Sequence, residues 1–214
     1  MDGAILFCTR VMRGACLLSV LFCNCALVQA QQQPPPVPLI KSGQIVVDGR
    51  SIPYLIRSLP VSSFPELPLA IQDLLNIRGC LIPQTYEAHH PENVVHASLE
   101  RPGSSDWAVL CSAEGTVSLL VFFGSRSASA QGQPIVLVST LETERLQVHD
   151  PSGVLGFNWG IDPASPEQIH VAQYGMERRP LRLDHDALAD SVVDRRTVYH
   201  FYAKNVWTLV EMPE

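Results

Sequence analysis

Three histidines crowd into one stretch, Tyr86-Glu87-Ala88-His89-His90-Pro91-Glu92-Asn93-Val94-Val95-His96. Imidazoles beside a carboxylate form the donor set of zinc and copper sites, so His89, His90 and His96 are candidate ligands for a divalent metal. Their spacing matches no zinc motif, and Pro91 prevents a helix that would align His90 with a downstream partner. The competing reading is a polar loop entering a strand, with His96 on the solvent face. Asp186, Asp190 and Asp194 form a second candidate group, four residues apart. On a helix they share one face and could hold a cation. Alternatively, they cap a helix start and meet the positive end of its dipole.

The run Phe157-Asn158-Trp159-Gly160-Ile161-Asp162 reads as a glycine-flanked aromatic loop. Phe157, Asn158, Trp159 and Asp162 are its candidate ligand residues, because aromatic faces stack on sugars or grip peptides while the amide and carboxylate hydrogen-bond. The same aromatics could instead close one end of the core. Tyr199, His200, Phe201, Tyr202 and Trp207 pose the same choice, since cross-strand aromatic pairs stabilise a hairpin without any ligand. The chain has no H-E-x-x-H, nucleophile elbow, P-loop, dinucleotide fingerprint or EF-hand loop. No residue is therefore assigned a catalytic role from sequence.

The cysteines indicate a compartment. Four of the six, Cys8, Cys16, Cys23 and Cys25, lie in the first thirty residues. Arg10 and Arg13 precede an apolar run from Ala15 to Val28, and Val28-Gln29-Ala30 has the small-residue pattern of a cleavage site. This predicts a signal peptide over residues 1–30, whose apolar stretch is too short for a comfortable membrane span of about 20 apolar residues. Neither Cys23, after Phe22, nor Cys25, after Asn24, suits lipid attachment. The expected product is secreted or periplasmic, with no stable membrane insertion after cleavage. It keeps Cys80 and Cys111, which an oxidising compartment would pair. Closing that loop of about 31 residues stabilises by roughly 3.7 kcal/mol in the chain-entropy picture. With 15 basic against 21 acidic residues and a formal net charge of −6, the chain is a poor match for nucleic acid.

The elements that must position these groups follow from patterning. Residues 31–38, Gln/Pro-rich, read as a disordered leader, and residues 39–214 as a single globular domain. Ile45-Val46-Val47, Asp48-Gly49 and Ile52 to Ile56 predict a hairpin with a primed turn, Pro53 placing its second strand at a sheet edge. Apolar spacing from Leu67 to Ile77 predicts a helix stopped by Gly79. Val94 to Leu99, Trp107 to Cys111 and Thr116 to Phe123 read as strands, the last two apolar on both faces and so covered on both sides. Gly124 to Gln133 reads as a flexible loop. Ile135 to Ser139 and Leu146 to His149 read as further strands. Ser165-Pro166 with Gln168 is a helix-start signature. A short helix is expected over 186–192, then a hairpin from Thr197 to Val210 turning at Ala203-Lys204-Asn205. The expected class is α+β: a mainly antiparallel sheet, two or three short helices and one disulfide.

Two segments carry a resemblance. Arg78-Gly79-Cys80-Leu81-Ile82-Pro83-Gln84 with Asp106-Trp107-Ala108-Val109-Leu110-Cys111-Ser112 is one. Asp184-His185-Asp186-Ala187-Leu188-Ala189-Asp190 leading to Tyr199-His200-Phe201-Tyr202 and Trp207 is the other. Over roughly residues 65–210 they resemble secreted or periplasmic bacterial proteins of no known activity, which implies export and paired cysteines. Pro102 to Val109 also resembles an integrin-type propeller repeat, where an acidic calcium loop precedes a strand. Here Gly103-Ser104-Ser105-Asp106 keeps one carboxylate, and a single partial repeat makes no propeller.

The leading expectation is an exported, non-catalytic domain binding a protein, a glycan or a small ligand, with no cofactor. The alternative is a secreted metal-dependent hydrolase built on the histidine or aspartate cluster.

Overall fold

The computed structural model describes residues 37–127, 133–174, 182–195 and 197–211. The expected signal peptide, nearly all of the leader and part of the expected 124–133 loop lie outside the described residues.

β1 (Leu39–Val47) and β2 (Arg50–Pro60) are joined by Asp48-Gly49, whose φ values of 48° and 74° make the primed turn that the dipeptide favours. β2 then continues into a nine-stranded sheet with β3 (Leu81–Gln84), β4 (Val94–Ala97), β5 (Asp106–Ala113), β6 (Thr116–Phe122), β7 (Ile135–Leu141), β8 (Leu146–Val148) and β9 (Leu155–Phe157). Its strand order is β7-β6-β5-β3-β2-β9-β8, with β1 beside β2 and β4 beside β5. A second, four-stranded antiparallel sheet runs β10 (Trp159–Ala164), β11 (Ala187–Val192), β12 (Thr197–Ala203), β13 (Val206–Glu211).

Side-chain alternation along the strands builds four layers. On β5 and β6, Ala108, Leu110, Val117, Leu119 and Val121 face the second sheet and share a core with Trp159, Leu188 and Tyr202. The residues between them, Val109, Cys111, Leu120 and Phe122, face the other way, onto Ile71 and Leu75 of α1 (Leu69–Ile77). The second sheet repeats the device: Ala187, Ala189 and Phe201 pack on Ile169 and Ala172 of α3 (Pro166–Ala172). This explains why the central strands lack a polar face. Each fully buried aliphatic side chain contributes roughly 1.5–3 kcal/mol.

Local signals set the helix limits. Gly79, at φ 68°, donates to Asn76, and Cys80 donates to Leu75, closing the end of α1 in a Schellman arrangement. That turn delivers Cys80 to β5, where it meets Cys111 at disulfide distance with Cα atoms 5.1 Å apart. Ser165 and Gln168 form the reciprocal capping box expected at the start of α3.

Four expectations need correction. The fold is sheet-rich α+β, but the larger sheet is mixed, because β2 and β9 pair in parallel. Residues 187–192 form β11, not a helix; ladders to β10 and β12 on both sides outweigh the helical preference of Ala and Leu. β2 is not an edge strand, since it also pairs with β3 and β9. Pro53 is tolerated because that second partnership begins only at Tyr54. Within the expected 124–133 loop, Gly124–Ser127 form one short helical turn, α2.

Candidate functional site

The structure scatters the candidate ligand groups. His89 and His90 are exposed beside a cleft of about 150 Å³ that also involves Arg57 and Gln84. Arg57 donates to the carbonyls of Thr85, Tyr86 and Ala88 at 2.7–3.2 Å, which fixes that loop. His96 sits elsewhere, stacked on Trp107 at 4.3 Å and 2.8 Å from the Ser105 hydroxyl. Among the described residues, no three His, Cys, Asp or Glu side chains come together as a metal-binding group.

The aspartates do not share a helix face, because β11 replaces the helix. Asp190 is buried between the sheets, where it accepts from Trp159 Nε1 at 2.6 Å and lies 3.0 Å from His200 Nε2. Asp194 occupies the following turn at φ 57°. Asp186 is bonded to Ser98. The expected aromatic ligand loop is likewise a core element: Phe157 and Trp159 are buried on adjoining strands, Asn158 is buried between them, and only Asp162 is exposed. The Arg145 guanidinium covers the Trp159 ring at 4.1 Å. The aromatics near the C-terminus pack on each other, Tyr202 lying 4.8 Å from Phe123 and 5.3 Å from Trp207.

A different site emerges where the two sheets meet. Its first wall is the loop from Ser98 to Ser105, organised by one fully buried carboxylate. Asp106 Oδ2 accepts from the amides of Leu99 and Glu100 at 2.9 and 2.7 Å and from the Ser104 hydroxyl, while Oδ1 accepts from the Gly124 amide at 2.7 Å. Asp106, the single carboxylate of the calcium-loop resemblance, thus spends its acceptors on the protein itself. Gly103, at φ 73°, completes the bend that presents Glu100, Arg101 and Pro102.

The second wall is the segment before β11. The Ser98 amide donates to Asp186 Oδ2 and the Asp186 amide donates to Ser98 O, each at 3.0 Å, so this segment is fastened to the first wall. His185 is buried, its Nδ1 2.9 Å from the Asp186 carbonyl. The third wall is the β12–β13 turn, where Lys204 and Asn205 adopt φ 52° and 64°.

Together the walls border an open groove of about 460 Å³ with Glu100, Arg101, Arg182, Asp184, His185 and Lys204 among its lining residues. That volume lies in the range of small-molecule sites. Arg101, Arg182, Asp184 and Lys204 are exposed around it. Glu100 is less so: its Oε2 atom is buried and has no hydrogen-bond partner among the described residues. The groove therefore offers the carboxylates of Glu100 and Asp184 as acceptors and Arg101 and Lys204 as cationic donors, while Arg182 lies 3.5 Å from Glu167.

Sequence patterning missed this site because its residues are not adjacent in the chain and match no motif. The one local signal was a charged pair, Glu100-Arg101, directly before the Pro102-Gly103 turn. A second polar cluster also escaped notice: buried Glu142 accepts from the Ser112 hydroxyl and pairs with Lys41. No protein-family model matches this chain, and no curated protein or solved structure is found to be similar to it.

Proposed function

We propose that this chain is an exported, non-catalytic binding domain whose inter-sheet groove takes a small zwitterionic ligand such as a free amino acid or short peptide. The observation that carries the reading is the mixed charge lining one groove, where the half-buried Glu100 lies among the exposed cations Arg101 and Lys204. A ligand ammonium satisfies Glu100, and a ligand carboxylate is taken by the guanidinium or ammonium groups of the rim, both as charge-assisted bonds. Binding by fixed loops on a two-sheet scaffold needs no cofactor.

Export is supported by the N-terminal sequence pattern and by the disulfide-distance pair of Cys80 and Cys111, which suits an oxidising compartment. Among the described residues no helix is long and apolar enough to cross a membrane.

A thermal-shift panel of amino acids, di- and tripeptides, neutral sugars and uronic acids tests the ligand class. A melting-point rise confined to zwitterions supports it. A response only to sugars, or none to any compound, refutes it.

A further inference from the structure

The outer side of β1 is an open sheet edge. Among the described residues β1 pairs with β2 alone, in unbroken register from Leu39 opposite Ser58 to Val47 opposite Arg50. A two-residue turn makes its flanking pair the doubly bonded one, and bonding then alternates along the ladder. Odd-numbered residues of β1 thus bond β2, while Ile40, Ser42, Gln44 and Val46 turn their N–H and C=O groups outward.

Native sheets protect such edges with charge, proline, bulges or short length. The larger sheet's other edges follow that rule: β7 is bulged opposite Leu119 and Leu120, β4 has four residues and β8 has three. β1 has nine residues, no proline and no bulge. Its one charged side chain, Lys41, is already paired with Glu142. Its large apolar side chains are left in solvent: Leu39 is 52% exposed, Ile40 63%, Val46 74% and Val47 40%.

We propose that this edge pairs with the same edge of a second copy, antiparallel about a two-fold axis at Gly43. The pattern of β1 is self-complementary in that register. Ile40 faces the second copy's Val46 and Ser42 faces its Gln44, both as doubly bonded pairs of outward-facing residues. Leu39 faces the second copy's Val47, so all four exposed apolar side chains gain apolar partners. Lys41 faces Ile45, so no like charges oppose one another. A shift of one residue would set outward-facing groups against inward-facing ones and lose the bonds. The product is an isologous dimer in which two nine-stranded sheets become continuous.

Sedimentation equilibrium of the purified protein tests this. The protein should sediment at twice the monomer mass. Ser42→Pro should halve that mass while the protein stays folded, because the lost N–H faces outward. Ile40→Lys should also give the monomer, and adding Val46→Glu should restore a salt-sensitive dimer, since positions 40 and 46 face each other across the axis. If Ser42→Pro unfolds the hairpin, the charge pair decides. A wild-type monomer at every concentration would overturn the proposal and leave the edge to some other chain. A dimer that survives Ile40→Lys, or a double variant no more dimeric than Ile40→Lys, would overturn it too.

Discussion

Ser98 and Asp186 lie 88 positions apart, yet each holds the other: the Ser98 amide donates to Asp186 Oδ2 and the Asp186 amide to the Ser98 carbonyl, both at 3.0 Å. This reciprocal pair joins the loop of the larger sheet to the lead-in of β11 and so sets the width of the groove. Asp186→Ala removes one bond and leaves the Ser98 amide unpaired. It should cost about 1–2 kcal/mol in denaturant unfolding and weaken ligand binding more than twofold. Unchanged affinity would mean that the groove does not depend on this fastening.

Asn93 is the corresponding joint deeper in the structure. Buried and at φ 71°, it donates from Nδ2 to the carbonyls of Pro83 at 2.7 Å and Trp159 at 3.2 Å, and accepts from the Ile161 amide at 2.9 Å. One side chain thus ties β3 to β10 in the other sheet. Asn93→Leu combines lost bonds, a buried unpaired amide and a left-handed backbone that Leu tolerates poorly. A loss of at least about 2 kcal/mol is expected, with Asn93→Gly milder. Equal stability of Asn93→Leu and wild type would contradict this role.

These two residues show where sequence reading succeeds and where it stops. The turn at Asp48-Gly49, the Gly79 stop and the Ser165–Gln168 cap were legible because each depends on residues within one turn of chain. The two-sided burial of β5 and β6 was legible from their unbroken apolar runs. β11 was misread because Ala187, Leu188 and Ala189 favour a helix locally, and only the ladders on either side make them a strand. Trp159 looked like a ligand residue because the groups that bury and bond it, Leu110 and Leu188 in the core and Asp190 31 positions away, are distant in the chain. The groove was invisible for the same reason: its lining residues come from three segments that meet only after folding.

Cys80 and Cys111 should resist alkylation in unreduced protein and react after reduction in denaturant. Replacing both by serine should cost about 2–4 kcal/mol. Free reaction of both thiols in the native, unreduced protein would exclude the bond.

Asp150 supplies a local pH signal. The Ser152 hydroxyl, then the Ser152 amide, with His149 and the Val154 amide adding, hold its carboxyl below the usual carboxylate range. A depressed folded-state pKa means that this turn's contribution is present above the unfolded value and is lost as pH falls through the folded one. Ser152→Ala should raise the Asp150 midpoint in a carboxyl-resolved NMR titration. A midpoint unmoved by the substitution would show that the hydroxyl does not set it.

The most direct test of the binding reading is titration calorimetry of a dipeptide series against the wild-type protein, Glu100→Gln and Arg101→Ala. The account predicts saturable one-to-one binding of at least one dipeptide. Glu100→Gln should weaken it about tenfold, a change of roughly 1.4 kcal/mol, with melting temperature unchanged. Arg101→Ala should weaken it further when the ligand keeps its free carboxylate, and much less when that carboxylate is amidated. Equal affinity in all three proteins, or no binding across the series, would contradict the assignment of the groove.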